Sequence, residues 1–309
     1  MARSSGVVAA VARARWYFGA QAAAGAIWWI SVFASDDVRR LTLGGWDPWL
    51  LVGPDVAFFV LGSLWAALTG SRAASTVVTV WTISVTASLL VYGLIERTAG
   101  WGVVAMTVAA FGTAVSALTV WHGRLPTEWF FVGPFAFHPA TVSSKATNVR
   151  RSLAQLVVFW TLFFAVIPII VAAAEHRLRV SLPALQHPAC DWIGWLVFTA
   201  GSALGLWSCL TMALVGRGTP LPAETARRLV ACGPYGYVRN PMAVAGAAQT
   251  AAIGAVVGSW SVIALAGVGA VLWNLVIRPV EEADLAARFG EDYDRYRSTT
   301  RCWVPTRSS

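Results

Sequence analysis

Between Cys232 and Met242 the chain reads Cys-Gly-Pro-Tyr-Gly-Tyr-Val-Arg-Asn-Pro-Met, and further along Arg278 and Pro279 precede the paired carboxylates Glu281 and Glu282. Gly233 and Pro234 enforce a turn, and Pro241 suits the first position of a helix, where its missing N–H costs nothing. Asn240 then stands as a helix N-cap, beside free backbone donors and the positive end of the helix dipole, an end that can hold a carboxylate. Two apolar runs, Pro241 to Gly258 and Ser259 to Ile277, separate the two motifs. Helices of about 20 residues at 1.5 Å per residue travel about 30 Å out and back, so Glu281 and Glu282 return to the face that holds Tyr235, Tyr237 and Asn240. A donor-rich turn set against two carboxylates suits a ligand with both cationic and polar parts.

The elements that position these residues belong in a membrane. Of 309 residues 57% are hydrophobic and 12% are charged, well below the charged fraction of soluble domains. The count of 17 tryptophans is high, and many of them sit near the ends of apolar runs, where a membrane interface places them. Apolar runs long enough to span begin near Trp16, Pro54, Ser75, Trp101, Leu153, Trp192, Pro241 and Ser259. That pattern gives about eight spans, and the absence of period-two alternation makes the fold all-α, closing on a helical hairpin. Leu285, Phe289, Tyr293 and Tyr296 recur at helical spacing among charges, the mark of an interfacial helix broken at Gly290. The mixed loop Thr127 to Asn148 divides four N-terminal spans, residues 1–150, from a C-terminal unit, residues 151–309.

The net charge of +8 is scattered between apolar runs and forms no basic face with interleaved aromatics, which argues against nucleic acid as a partner. The basic residues near the N-terminus, Arg72, the stretch Arg124 to Arg151, the stretch Arg217 to Arg239 and the C-terminus fall on one side of the membrane. By the positive-inside rule both termini are cytoplasmic, in the cell membrane, with Arg39, Arg40, Arg177 and Arg179 as the counter-signal. Arg3, Arg13 and Arg15 precede a first span that is retained, since no small-residue cleavage site follows it. Four cysteines and four histidines show no metal-ligand spacing, so no metal is expected. Asp55, after Gly53 and Pro54, reads as a helix start near the outer interface. Gly267 and Gly269 in the last span read as sites of close helix packing. Oligomeric state leaves no signal in the sequence.

The stretch Gly233 to Pro241, the Glu281–Glu282 pair and the ending from Phe289 through Tyr296 to Trp303 and Pro305 resemble the C-terminal signature of the isoprenylcysteine carboxyl methyltransferase and phospholipid methyltransferase families. The resemblance covers roughly the last third of the chain. It implies an S-adenosylmethionine pocket, a lipid or hydrophobic small molecule as methyl acceptor, and a lipid-facing tunnel that admits it. By the same resemblance Gly233, Pro234, Tyr235, Tyr237, Val238, Asn240 and Pro241 line the cofactor, and Glu281 and Glu282 hold its ribose or amino group. Arg239 and Glu282 become candidate catalytic residues and Arg278 a substrate contact, against the plainer reading of these arginines as interface anchors and of the glutamates as solvated charges. The sequence departs from the family at Asn240, often His, at Ala243, often Tyr, and at Gly236, often Arg. An amide keeps the cap but cannot take a proton near neutral pH. The competing readings are a membrane reductase of the sterol reductase type that binds a nicotinamide cofactor, and a transporter or non-catalytic scaffold; the spans lack the buried charge pathway that transport usually requires.

Overall fold

The computed structural model describes residues 2–132 and 136–305, with the side chains of residues 2–5 and 222 excepted. The part of the Thr127 to Asn148 loop at 133–135 lies outside the described residues. The described chain is helical throughout apart from its connections, with one isolated backbone bridge between Pro139 and Thr225. Among the described residues six helices are long and apolar enough to cross a membrane: Pro48–Thr69, Arg72–Glu96, Gly100–His122, Lys145–Arg177, Pro188–Gly216 and Trp260–Phe289. A seventh is reached if α1 (Ala2–Ala34) and α2 (Asp36–Leu43), bent by 119° at Ser35, count as one span. The expected eighth, Pro241 to Gly258, is instead the 16-residue helix α10 (Pro241–Val256), about 24 Å long and short of the bilayer core. Gly258 at φ 64° ends it and turns the chain back.

The helices fall into two compact units, residues 1–126 with 174–180, and residues 127–173 with 181–309. In the first unit α1, α3 (Pro48–Asp55), α4 (Gly62–Thr69), α5 (Arg72–Glu96) and α6 (Gly100–His122) enclose cores around Phe18 and Val78 and around Trp29 and Val32. Two polar knots cross these cores. Gln21 donates to Ser63 at 3.0 Å and accepts from Thr113 at 2.7 Å. Asp55 is not a helix start: Asp47 caps α3 and Pro54 lies inside it. Asp55 is buried, and its two oxygens accept the indole N–H groups of Trp29 and Trp81 at 2.8 and 2.9 Å, which satisfies a carboxylate that lipid could not.

The second unit contains α7 (Lys145–Thr161), α9 (Pro188–Thr211), α10, α11 (Trp260–Leu272), α12 (Arg278–Phe289) and α13 (Glu291–Thr299), together with most of α8 (Ile167–Arg177). Three of its helices carry a π-helical turn, at Leu162–Val166, Met212–Gly216 and Trp273–Ile277. α9 and α10 pack closely because α9 presents Gly194, Gly201 and Gly205 to Ala245, Gln249, Ala252 and Val256 of α10. The close-packing role expected of Gly267 and Gly269 falls to these glycines instead, since a Cβ at either 267 or 269 would meet nothing within 4 Å. At Gly194 a Cβ would come within 2.9 Å of the Ala252 carbonyl oxygen and 2.6 Å of Val256 Cγ2. Gly194→Val should therefore push the two helices apart and cost about 1–3 kcal/mol, lowering the thermal midpoint of purified protein in detergent. Gly267→Ala should leave that midpoint unchanged or raise it, and the reverse order of the two variants would contradict this packing.

Candidate active site

The site is built on the turn that precedes α10. Gly233 sits at φ 58°, a conformation that favours glycine, and starts a short 3₁₀ turn over Gly233–Gly236 whose Pro234 carbonyl accepts the N–H groups of Tyr237 and Val238, each at 3.2 Å. Asn240 precedes α10 in the N-cap position, but its side chain makes no capping bond; its Nδ2 lies 3.7 Å from Cys302 Sγ. With Pro241 at the first position, the N–H groups of Met242 and Ala243 are the open donors at this helix end, and Val244 N–H already reaches the Asn240 carbonyl. The continuous helix Trp260–Phe289 runs about 45 Å, longer than the hydrocarbon core, so Glu281 and Glu282 fall where it leaves the lipid.

There the two halves of the motif are joined. Arg239 donates to Glu282 at 2.9 Å and, from its other terminal nitrogen, to the carbonyls of Arg297 and Thr300 at 2.9 Å each, while its backbone N–H reaches the Arg301 carbonyl. Glu282 also has Arg278 at 3.7 Å and Arg297 at 3.6 Å. Arg278 in turn donates to Asn274, which accepts the Trp303 indole N–H at 3.0 Å. Tyr296 donates its hydroxyl to the Tyr235 carbonyl at 2.7 Å. Gly290, at φ 52°, separates α12 from α13 and folds Tyr293 inward, as the broken interfacial pattern predicts.

These elements enclose a cavity of about 490 Å³. Leu285, Tyr293 and Tyr296 of the interfacial pattern line it, and of the eleven candidate site residues so do five, Tyr235, Arg239, Asn240, Glu281 and Glu282. The others do not face it. Pro234, Tyr237 and Val238 border a separate recess of about 220 Å³ with Leu204 and Trp207; Gly233 sits against Thr211 and Trp207, Pro241 is fully buried, and Arg278 is held by Asn274 and Glu282. The adjacent glutamates differ in kind. Glu282 is buried among three arginines, while no hydrogen bond or ion pair to Glu281 occurs among the described residues. Burial, with the charges of Glu281 and Tyr296 adding to it, holds the Tyr235 phenol well above its ordinary pKa. Burial, opposed in part by Arg239, raises that of Tyr296, so both phenols stay protonated donors at ordinary pH.

The remainder of the wall was not legible in the sequence. Gln155, Leu156, Phe159 and Trp160 of α7 reach it from far along the chain, and each π-helical turn of the unit adds to it, through Phe163, Met212, Trp273 and Ile277. π-turns often sit at functional sites, but composition does not announce them. α10 contributes Met242, Ala245, Gly246 and Gln249, which share one face. The cavity is thus polar at the α10 N-terminus and apolar beyond it.

Residues 190–292 match the phospholipid methyltransferase family, a match that spans α9 to the start of α13 and covers Tyr235, Arg239, Asn240, Glu281 and Glu282 of the cavity wall. The resemblance carried by those motifs is borne out over this stretch, about a third of the chain. No curated protein and no solved structure matches the chain. The geometry separates the two glutamates experimentally. Glu282→Ala leaves the largely buried Arg239 without its counter-charge and should cost about 3–5 kcal/mol of stability, whereas Glu281→Gln removes no ion pair and should leave the denaturation midpoint near that of the parent. Equal losses in both variants would contradict the assignment of Glu282 to the clamp and Glu281 to the cavity.

Proposed function

We propose that the second unit is an S-adenosylmethionine-dependent methyltransferase acting on a lipid or other membrane-partitioned acceptor, with the polar mouth of the cavity at the cytoplasmic face and both termini on that side. The observation that carries this reading is one continuous cavity with an unpaired carboxylate and an open helix N-terminus at one end and an apolar wall at the other. Its volume lies in the range of small-molecule sites.

The residues present fit the cofactor. Glu281 offers an unpaired carboxylate to an ammonium or a pair of ribose hydroxyls, and the open N–H groups of Met242 and Ala243 offer the α10 dipole to a carboxylate. The bound cofactor supplies an electrophilic methyl group on a sulfonium. Arg239 and Glu282, in this reading, hold the motif and the C-terminal helices in register around the site, and Arg278 braces them. Asn240 cannot accept a proton, so the chain's contribution at that position is orientation, and proximity and water exclusion carry much of the rate. Phe159 and Phe163, stacked at 4.5 Å, line the apolar end and are exposed beside Val158, Leu162 and Val166, which supports entry of the acceptor from the lipid side.

Calorimetry on purified protein in detergent should show saturable binding of S-adenosylmethionine and of its demethylated product, undisturbed by NADPH. Glu281→Gln should weaken that binding about 10-fold to 150-fold, the loss of one charge-assisted hydrogen bond worth about 1.5–3 kcal/mol, at unchanged folded yield. NADPH binding in place of S-adenosylmethionine would overturn the proposal in favour of a reductase.

A further inference from the structure

Gln249, in the α10 wall of the cavity, is a polar group that methyl transfer leaves without a task. Gln249 lies nine residues beyond Asn240 in α10, about 13 Å along the helix axis, and is 2% exposed. Its Nε2 donates to Ser202 Oγ at 3.0 Å, and Ser202 Oγ donates to the Phe198 carbonyl at 2.7 Å. A hydroxyl has a single proton, and this one is used on Phe198, so Ser202 can only accept from Gln249 and the orientation of the amide is fixed. Gln249 Oε1 must therefore point away from Ser202. It receives no hydrogen bond from any described residue.

What lies before that oxygen is space. A Cβ at Gly205 would stand 3.7 Å from Gln249 Oε1, so the glycine leaves the carbonyl uncovered, and a Cβ at Gly246 would meet nothing within 4 Å. Gly205, Gly246 and Gln249 all line the cavity. An amide oxygen that opens on an apolar cavity without a donor is costly, most of all where lipid replaces water. We propose that Gln249 Oε1 selects acceptors that carry a hydrogen-bond donor, a hydroxyl or an N–H, within their apolar portion, about 13 Å from the methyl-transfer end. The substrate class is then a functionalised lipid and not a plain hydrocarbon chain. This inference rests on the cavity being the acceptor site, and it names what that site reads.

The test uses three long-chain alkylamines, the amine standing for the acceptor's head: one with a mid-chain hydroxyl, its methyl ether, and the unsubstituted parent. Calorimetry on the full chain in detergent, with the hydroxyl moved along the chain to find its best position, should show the hydroxylated amine preferred over both others by about 2-fold to 13-fold, the worth of one neutral hydrogen bond. Gln249→Leu should abolish the preference and bind the parent at least as tightly. Ser202→Ala, a small change that frees the amide to rotate, should narrow the gap between hydroxyl and methyl ether while the fold persists. Equal affinities for the three probes in the unsubstituted protein, or a preference that survives Gln249→Leu, would overturn the proposal. If the preference holds but S-adenosylmethionine does not bind the same preparation, the methyltransferase reading fails and the donor-reading groove stands.

Discussion

Arg239 donates to the carboxylate of Glu282 and to two backbone carbonyls of the C-terminal segment at once, and three stretches of chain far apart in sequence meet on that guanidinium. The turn before α10 supplies the arginine, the last turn of membrane-crossing helix supplies the carboxylate, and the end of α13 supplies the carbonyls. Charges buried at such depth are tolerated only when their partners are in place, so the ion pair fixes the register of the hairpin and of the interfacial helices together. Everything at the polar end of the cavity follows from that register. With Glu282 drawn to Arg239, the helical rotation of about 100° per residue turns Glu281 to a different side, where it faces the cavity without a partner.

The apolar end depends on a different device. The glycines of α9 let α10 approach closely, and the same absence of side chains leaves room beside Gln249 and around Gly246. The three π-helical turns of the unit re-aim side chains such as Phe163, Met212 and Trp273 toward the same space. The first unit shows how the chain treats polar groups that have no such opening. Asp55 and Gln21 are each closed off by named partners, and neither borders the cavity.

The turn at Gly233, the helix start at Pro241 and the return of the two glutamates were legible because Gly, Pro and the helical rise act locally and without exceptions of packing. The interfacial break at Gly290 was legible for the same reason. The count of eight spans was not confirmed, because hydropathy registers Pro241 to Gly258 as apolar but does not say that its helix stops after 16 residues. Asp55 looked like a helix start from Gly53 and Pro54, yet Asp47, eight residues earlier, and Pro48 carry a stronger start. Gly267 and Gly269 could not be told from Gly201 and Gly205 without knowing which helix face meets a neighbour. Nor could two adjacent glutamates be assigned opposite duties before the position of Arg239 was known.

The central claim, that one cavity brings a methyl donor to an acceptor drawn from the bilayer, is tested most directly by following the methyl group. The protein, reconstituted in host membranes, is incubated with methyl-labelled S-adenosylmethionine, and the lipid and water-soluble fractions are separated. Label should appear in the lipid fraction, and Glu281→Gln should reduce it. Label confined to water-soluble products would contradict it.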